Sequence, residues 1–176
     1  NFAVGVVTGI PMEFQFGTNW ASFSRYAGGA IGQTLAMEGM FAFFLESAFV
    51  GALIWGEKRL GPRYHFLAAV AVAIGSWLSA YFILVTNAFM QHPVGYQVDS
   101  RGLLGIGSLR AFLLNPWALI QFSHNQTAAL VTGSFVVTSI GAFYALRQLH
   151  PVQAQLYLRA GTFTGLIASL LVAFPT

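Results

Sequence analysis

The sequence predicts an all-α integral membrane protein, a helical bundle of about five transmembrane helices with an interfacial segment on the outer side. Of its 176 residues, 56% are hydrophobic and 7% are charged, whereas a soluble domain usually carries about 25% charged residues. Several apolar runs reach the roughly 20 residues that a helix needs to cross a bilayer. The net charge of +3 is too small and too dispersed to indicate nucleic-acid binding, and the lack of cysteine excludes disulfides and thiolate metal sites.

The apolar runs predict spans over residues 1–17, 34–55, 66–90, 116–146 and 154–174, all within a single domain. A polar, glycine-rich stretch at 18–33 is predicted to connect the first two spans. The polar segment 92–115 is expected to include an interfacial helix. Because the sequence opens inside an apolar run and without methionine, we expect it to be a fragment of a longer membrane protein.

The orientation prediction rests on basic residues, which are enriched in short cytoplasmic loops. The loop GEKRLGPRYH and the second turn, RQLHP, fall on one side of the predicted bundle, and the glycine-rich connection and the 92–115 segment fall on the other. Five basic residues lie on the first side and three on the second: Lys58, Arg59, Arg63, Arg147 and Arg159 against Arg25, Arg101 and Arg110. This bias predicts that the GEKRLGPR side is cytoplasmic and that Glu38 lies near the outer end of its helix, with Glu46 deeper.

Two carboxylates inside the second predicted span are the strongest functional signal. Glu38 and Glu46 lie in LAMEGMFAFFLESAFVGALIW, and an ionisable group at the centre of a membrane helix costs roughly 2.5–3.5 kcal/mol on insertion scales. Eight α-helical residues separate them by about 12 Å along the axis and about 80° around it. They are therefore too far apart to share a proton directly, but they can serve as stations on a water-assisted route. The alternative is that each carboxyl group only hydrogen-bonds a neighbouring helix.

Further polar residues in the spans are open to two interpretations. Five polar residues can hold ordered water between acidic groups, namely Ser47, Ser76, Ser79, Thr86 and Asn87, but hydroxyls in helices also bond to their own backbone. His124, near the start of the fourth span, is suited to bind haem iron through a neutral imidazole, or simply to form a hydrogen bond. We expect Glu38, Glu46 and His124 to face the interior of the bundle. Nucleotide-binding loops, nucleophile elbows and paired-histidine zinc motifs do not occur in the sequence.

Four ungapped segments resemble subunit I of the cytochrome bd-type quinol oxidases, including the cyanide-insensitive branch. They are GIPMEFQFGTNW (9–20), LAMEGMFAFFLESAFVGALIWGEKRLG (35–61), GSWLSAYFILVTNAFMQHPVGY (75–96) and LLNPWALIQFSHNQTAALVTG (113–133). The second resembles the two-glutamate helix and basic loop of that family, and the fourth resembles the block with a histidine haem ligand. Together they cover most of residues 5–147.

The resemblance implies a respiratory enzyme of the bacterial plasma (inner) membrane that oxidises quinol at the outer face and reduces dioxygen to water with cytoplasmic protons. It implies three haems, namely a low-spin haem b, a high-spin haem b and a haem d or a haem b in its place. His124 matches the axial ligand of the low-spin haem b, and Glu38 matches a glutamate near the other two haems. Glu46 matches the deeper glutamate of the proton path, accompanied by Ser47 and Ser79, and Asn87 matches a polar residue near the oxygen-reducing site.

The same resemblance implies partners and missing parts. A second oxidase subunit, a small accessory subunit and membrane lipid are the expected partners. The remaining haem ligands and the quinol loop of the family have no counterpart in this sequence, so we expect the chain alone to be inactive. On composition alone, a proton- or ion-coupled membrane transporter is the competing hypothesis, although the internal repeat that often marks transporters is not visible.

Overall fold

The computed structural model describes the backbone of residues 2–173 and the side chains of residues 7–12 and 14–173. Its helices are α1 (Phe2–Gly17), α2 (Ala21–Met37), a π-helical segment (Glu38–Phe43), α3 (Phe44–Trp55), α4 (Glu57–Gln91), α5 (Leu109–Leu113), α6 (Pro116–Leu146) and α7 (Pro151–Ala173). Two short strands, β1 (Tyr96–Val98) and β2 (Leu104–Ile106), pair as an antiparallel hairpin. The chain divides into two compact units, residues 1–118 and 119–176, which are described separately.

Four of the described helices are long and apolar enough to cross a membrane. They are Ala21–Trp55, which includes the π segment, Glu57–Gln91, Leu109–Leu146 and Pro151–Ala173. The helix α1 has 16 residues, fewer than a full span needs. The prediction of an all-α membrane bundle is confirmed. Helices α4, α6 and α7 overlap the predicted spans 66–90, 116–146 and 154–174, and residue 174 lies outside the described residues. The assignment of all spans to a single domain stays a prediction.

The predicted connection at 18–33 is wrong, because helix α2 begins at Ala21 and continues without a break into the second span. Glycine and polar residues suggested a loop, but Ala27, Ala30 and Ile31 are buried in the core of the first unit, and this tertiary packing overrides the weak helix propensity of glycine. As a result Glu38 is the eighteenth residue of a 35-residue helix. It lies near the middle of that helix, not near its outer end as the sequence suggested.

Helix α4 begins with a short turn and bends before its apolar part. Gly61 has a positive φ of 72°, a conformation that glycine adopts without the steric cost that a side chain would bring. Pro62 follows at the first position of the long straight part, where its missing N–H is not needed. The long part then packs against α2, the π segment and α3 in the first unit.

The segment 92–115 forms the hairpin and the five-residue helix α5, so the interfacial part is mostly not helical. The Asp99 carboxylate accepts hydrogen bonds from the backbone N–H groups of Arg101 and Leu103, which closes the turn between the strands. These backbone N–H groups, that of Leu103 first, and the Arg101 guanidinium hold the pKa of Asp99 below its usual value. At the other end of the segment, the Tyr81 hydroxyl donates to the Leu113 carbonyl (2.6 Å) and ties the segment to α4.

The core of the first unit lies where α2, the end of α4 and α5 meet. Its buried side chains include Ile31, Val85, Phe89 and Phe112. In the second unit, α6 and α7 meet through small residues. A Cβ atom on Gly141 or Gly161 would clash with the facing helix, and one on Gly165 would lie only 3.2 Å from the Cβ of Ser134. Close approach through small residues is the usual way for helices to pack in a membrane, where apolar side chains gain little by leaving lipid.

Candidate functional site

Each of the two membrane glutamates accepts a hydrogen bond from a serine of α4. The Ser79 hydroxyl donates to Glu38 Oε1 at 2.8 Å, and the Ser76 hydroxyl donates to Glu46 Oε1 at 2.5 Å. Both glutamates are half-buried. Ser76 and Ser79 are three residues apart and thus lie on one face of α4, so both carboxylates point at the same face of the neighbouring helix.

The π-helical segment explains how both glutamates reach one face. A π turn closes its hydrogen bond over five residues where an α turn uses four, so the segment Glu38–Phe43 acts as an α-helix with about one extra residue. One residue corresponds to about 100° of rotation, so the eight residues from Glu38 to Glu46 turn like seven. Seven α-helical residues make nearly two whole turns, whereas the regular helix expected from the sequence leaves the glutamates about 80° apart.

Close helix packing holds Glu46 against α4. A Cβ atom on Gly75 would lie 3.0 Å from both the backbone nitrogen and the Cβ of Glu46, and 3.2 Å from the Ala42 carbonyl oxygen. These distances are shorter than usual Cβ contacts, so a side chain there would require the neighbouring atoms to shift by a few tenths of an ångström. The absence of a side chain at Gly75 therefore lets the Ser76 hydroxyl reach the Glu46 carboxylate.

Two further polar contacts extend this arrangement in both directions. The hydroxyls of Thr34 and Thr86 lie 2.6 Å apart and are almost completely buried. Toward the basic loop, the imidazole Nε2–H of His65 donates to the Leu53 carbonyl at 2.8 Å. That carbonyl belongs to the last turn of α3, where the helix itself offers no partner.

We call these four contacts the polar seam: Thr34 with Thr86, Glu38 with Ser79, Glu46 with Ser76, and Leu53 with His65. On the α2–α3 side of the seam, the helical residues 34 to 53 extend about 28 Å at 1.5 Å per residue. The hydrocarbon core of a bilayer is about 30 Å thick. The polar seam is therefore long enough to line most of a membrane crossing.

The positions of the other predicted residues differ from the expected grouping. The sequence placed Ser79 beside Glu46, but Ser79 pairs with Glu38, and Ser76 occupies the place beside Glu46. The expected grouping of Ser47 with Glu46 is not seen either, because the Ser47 side chain is exposed and its hydroxyl donates to the Phe44 carbonyl of its own helix. Asn87 is half-buried and lies eleven residues after Ser76, three turns along the same face of α4.

His124 belongs to the second unit, and its side chain is exposed on α6. The expectation that it faces inward is therefore not met within that unit. The packing of α6 on α7 uses Ser134, Thr138 and Gly141 of α6, and His124 precedes Ser134 by ten residues, about 15 Å along the helix. In the described part of the chain, no group of three or more His, Cys, Asp or Glu side chains is close enough to hold a metal ion.

The sequence indicated Ser76 as a polar residue of the third span but did not pair it with Glu46, and it did not single out Thr34 as a member of the seam. The pairing of Ser76 with Glu46 could have been found by asking which two small polar residues of the next span, three or four residues apart, can face the two glutamates. Thr34 could not, because it lay at the edge of a predicted loop. The π segment has no signal in the single sequence beyond the glycine and two large apolar residues that follow Glu38.

Carboxylates and hydroxyls facing each other between two membrane helices are typical of membrane proteins that move protons or ions. The particular family is given by the sequence itself. The family model described as cytochrome bd terminal oxidase subunit I matches residues 1–175, and the chain belongs to that family.

The chain is also similar in sequence to two curated proteins. The chain is 43% identical over 148 residues to cytochrome bd ubiquinol oxidase subunit 1 of Bacillus subtilis (strain 168), which covers 84% of this chain and 31% of the relative. It is 46% identical over 148 residues to cytochrome bd-II ubiquinol oxidase subunit 1 of Escherichia coli (strain K12), which covers 84% of this chain and 29% of the relative. The chain thus spans about a third of the length of these relatives.

A solved structure has the same fold. The bd oxidase from Geobacillus thermodenitrificans matches with a TM-score of 0.84 and 33% sequence identity over 97% of this chain and 39% of that chain. Together with the four apolar helices, these comparisons confirm the prediction of a multi-pass protein of the bacterial plasma membrane.

Proposed function

We propose that this chain is part of the haem-bearing subunit of a respiratory quinol oxidase, a quinol:oxygen oxidoreductase that oxidises quinol and reduces dioxygen to water. Its membership of the cytochrome bd subunit I family supports this proposal. The named activity of both curated relatives, ubiquinol oxidase, supports it as well. Nothing in the seam requires a transporter, and the family match does not favour that alternative.

Within this enzyme, the polar seam carries protons from the GEKRLGPR side toward the site of oxygen reduction. Glu46 is the station nearer the basic loop, and Glu38 is the station near the middle of the membrane helix. A serine hydroxyl can both donate and accept a hydrogen bond. Ser76 therefore donates to the Glu46 carboxylate, and it accepts from the same group once Glu46 carries a proton. The hydrogen bond between Ser76 and Glu46 is the single observation that carries this proton route, because its geometry suits both protonation states of the acid.

The two stations need water between them. Their carboxyl groups belong to residues about seven helical steps apart, or about 10 Å along the axis, which is beyond the reach of a direct hydrogen bond. One or two water molecules can bridge such a gap if polar groups hold them. The half-buried hydroxyls of Ser76 and Ser79 lie on the intervening face of α4 and can hold such water, while the proposed part of Ser47 and Asn87 in the route stays a prediction.

The residues present fit a haem better than a protein-bound metal ion. A haem ring supplies four nitrogen ligands to its iron, so the protein needs to add only one or two axial ligands. His124 carries an exposed imidazole on α6, and such a group could hold a haem iron through a ring nitrogen. In this proposal His124 would hold the low-spin haem b iron through a neutral imidazole nitrogen.

When bound, the haems supply the electron transfer and oxygen reduction of the enzyme. We propose the low-spin and high-spin haem b, and a haem d or a further haem b, with Glu38 near the last two. Glu38 holds a proton where the oxygen chemistry consumes it, and Glu46 replenishes that proton from the cytoplasmic side. A second oxidase subunit, a small accessory subunit and membrane lipid complete the proposed assembly.

Two substitutions in the full-length assembled protein test the proposal. Glu46→Gln keeps the size and the hydrogen bond but cannot ionise, so oxygen reduction should fall by about a hundredfold, a typical effect of losing a proton-transfer group, with an unchanged haem spectrum. Normal turnover in this variant would refute the relay role. His124→Ala should remove the absorbance bands of the low-spin haem b in the reduced-minus-oxidised spectrum. Unchanged bands would refute the ligand assignment, and a protein without any haem bands would refute the oxidase proposal.

A further inference from the structure

A recess of about 300 Å³ lies in the first unit, between the first turns of α2 and the β1–β2 hairpin. Its polar lining comes from Arg25 on α2 and from Gln97, Asp99 and Arg101 on the hairpin. It lies away from the polar seam, and the proposed proton route does not use any of its residues. Two guanidinium groups lining one small recess indicate a site for an anion.

The hairpin is held firmly against the helix, so the recess is preformed. Gly29 of α2 and Gly105 of β2 form a backbone bridge. A Cβ atom on Gly29 would lie 2.5 Å from the Leu104 carbonyl oxygen, so only glycine permits this approach. The recess therefore does not depend on a ligand to bring its two walls together.

The single carboxylate in the lining is already used. Asp99 accepts from the backbone N–H groups of Arg101 and Leu103 and forms an ion pair with the Arg101 guanidinium at 3.2 Å. These contacts orient Arg101 and leave it most of its exposed surface, because its side chain is 78% accessible. Arg25 has no hydrogen bond or ion pair with the residues that the structure describes. The recess thus offers one guanidinium without a partner and a second one held in position.

Aromatic residues place this recess at the depth of lipid headgroups. Trp20, Tyr26, Tyr96 and Trp117 surround this end of the unit, and each is about half-exposed. Tryptophan and tyrosine are enriched where membrane proteins cross the membrane–water interface. An anion that is abundant at this depth is the phosphate group of a phospholipid.

We propose that the Arg25–Arg101 recess binds the phosphate group of an anionic glycerophospholipid headgroup. Arginine binds phosphate through two parallel N–H···O bonds, which gives geometric specificity as well as charge. The Gln97 amide can donate to a further headgroup oxygen. Free inorganic phosphate presents the same chemistry, and the experiment below separates the two sources. This site is independent of the proposed oxidase function.

The test uses the full-length assembled protein, delipidated in detergent and titrated with phosphatidylglycerol, phosphatidylcholine or inorganic phosphate, with bound ligand counted by native mass spectrometry. Phosphatidylglycerol should bind about tenfold more tightly than the zwitterionic lipid. Arg25→Gln should weaken that binding about tenfold, the usual effect of losing a charge-assisted hydrogen bond. Arg25→Lys should recover only part of it, because lysine keeps the charge but not the planar fork.

Arg110→Gln is the matched control, since Arg110 lies on α5 near the same end of the unit and does not line the recess. Phosphatidylglycerol binding should be unchanged in this variant. Equal binding by the native protein and Arg25→Gln would overturn the proposal, as would equal losses in Arg25→Gln and Arg110→Gln, which would indicate only general surface charge. Arg25-dependent binding of inorganic phosphate that phosphatidylglycerol does not displace would overturn the lipid assignment.

Discussion

The two helix pairs of this chain differ in whether hydroxyl side chains bond across to an acidic residue of the facing helix. Between α2–α3 and α4, the hydroxyls of Ser76 and Ser79 reach across to carboxylates of the facing helix. On α6, each described hydroxyl bond returns to a backbone carbonyl four residues earlier, as for Ser134, Thr138 and Ser139. The residue types are the same, but only the first pair contains acidic partners, because α6 and α7 have no Asp or Glu.

This difference shows what makes a membrane hydroxyl useful for proton transfer. A hydroxyl that donates to a backbone carbonyl of its own helix has its hydrogen bond without needing a partner on another helix. It can therefore face lipid or a tightly packed contact. A hydroxyl aimed at a carboxylate needs an acid on the facing helix, the right rotational phase and a short distance between helices. In the first pair these come from Glu38 and Glu46, from the π segment and from Gly75, respectively.

Changing the angle between Glu38 and Glu46 around the helix should have the largest effect on oxygen reduction. Insertion of one alanine after Met40 adds about 100° between Glu38 and Glu46, so one of the two carboxylates leaves the α4 face. We expect oxygen reduction by the full-length assembled protein to fall by about a hundredfold, as for other losses of a proton-transfer group. Deletion of Met40 removes the extra residue of the π segment and keeps the phase, so that variant should retain activity within a few-fold.

These two variants change the chain length equally and in opposite directions, so the deletion is the control for the insertion. Oxygen uptake with a soluble quinol reports both. Equal losses in insertion and deletion would mean that the phase of the glutamates is not what the π segment provides.

Loosening the close contact between helices should have an intermediate effect on oxygen reduction. The effect should differ between the two helix pairs. Gly75→Ala and Gly161→Ala each force a methyl group into a helix contact, and overpacking usually costs about 1–3 kcal/mol. Both variants should therefore lower the thermal stability of the assembled protein. Only Gly75→Ala should also lower oxygen reduction per haem, because it pushes Glu46 away from α4. Equal activity per haem in the two variants would contradict the link between this contact and proton transfer.

Single hydroxyls should have the smallest effect. Ser76→Ala removes the hydrogen bond to Glu46 but leaves the acid in place, and water can take over part of its role. We expect a loss of activity of about three- to tenfold, in line with about 1 kcal/mol for one hydrogen bond, together with a changed pH profile of turnover. Ser139→Ala, which removes only a bond to its own helix, should change neither. A Ser76→Ala variant with the native pH profile would reduce this serine to a packing residue.

The sequence was sufficient for the class of fold and for the two acids, and not for their surroundings. Long apolar runs define spans without knowledge of their neighbours, and the cost of a buried charge makes Glu38 and Glu46 conspicuous. The start of α2 was misjudged because its glycines are stabilised by packing against α4 and the hairpin. The pairing of Ser79 with Glu38 depends on the π segment, which shifts the rotation of the helix by about one residue. The pattern of apolar residues around the segment does not indicate this shift.

The most direct test of the proton route is redox-difference infrared spectroscopy of the full-length assembled protein. If Glu46 takes up and releases a proton during turnover, the carbonyl band of a protonated carboxylic acid should change with the redox state. The band should disappear in Glu46→Gln, shift in Ser76→Ala because its hydrogen bond is lost, and stay unchanged in Ser139→Ala. A band that is identical in all three variants and in the native protein would contradict the assignment of Glu46 as a proton station.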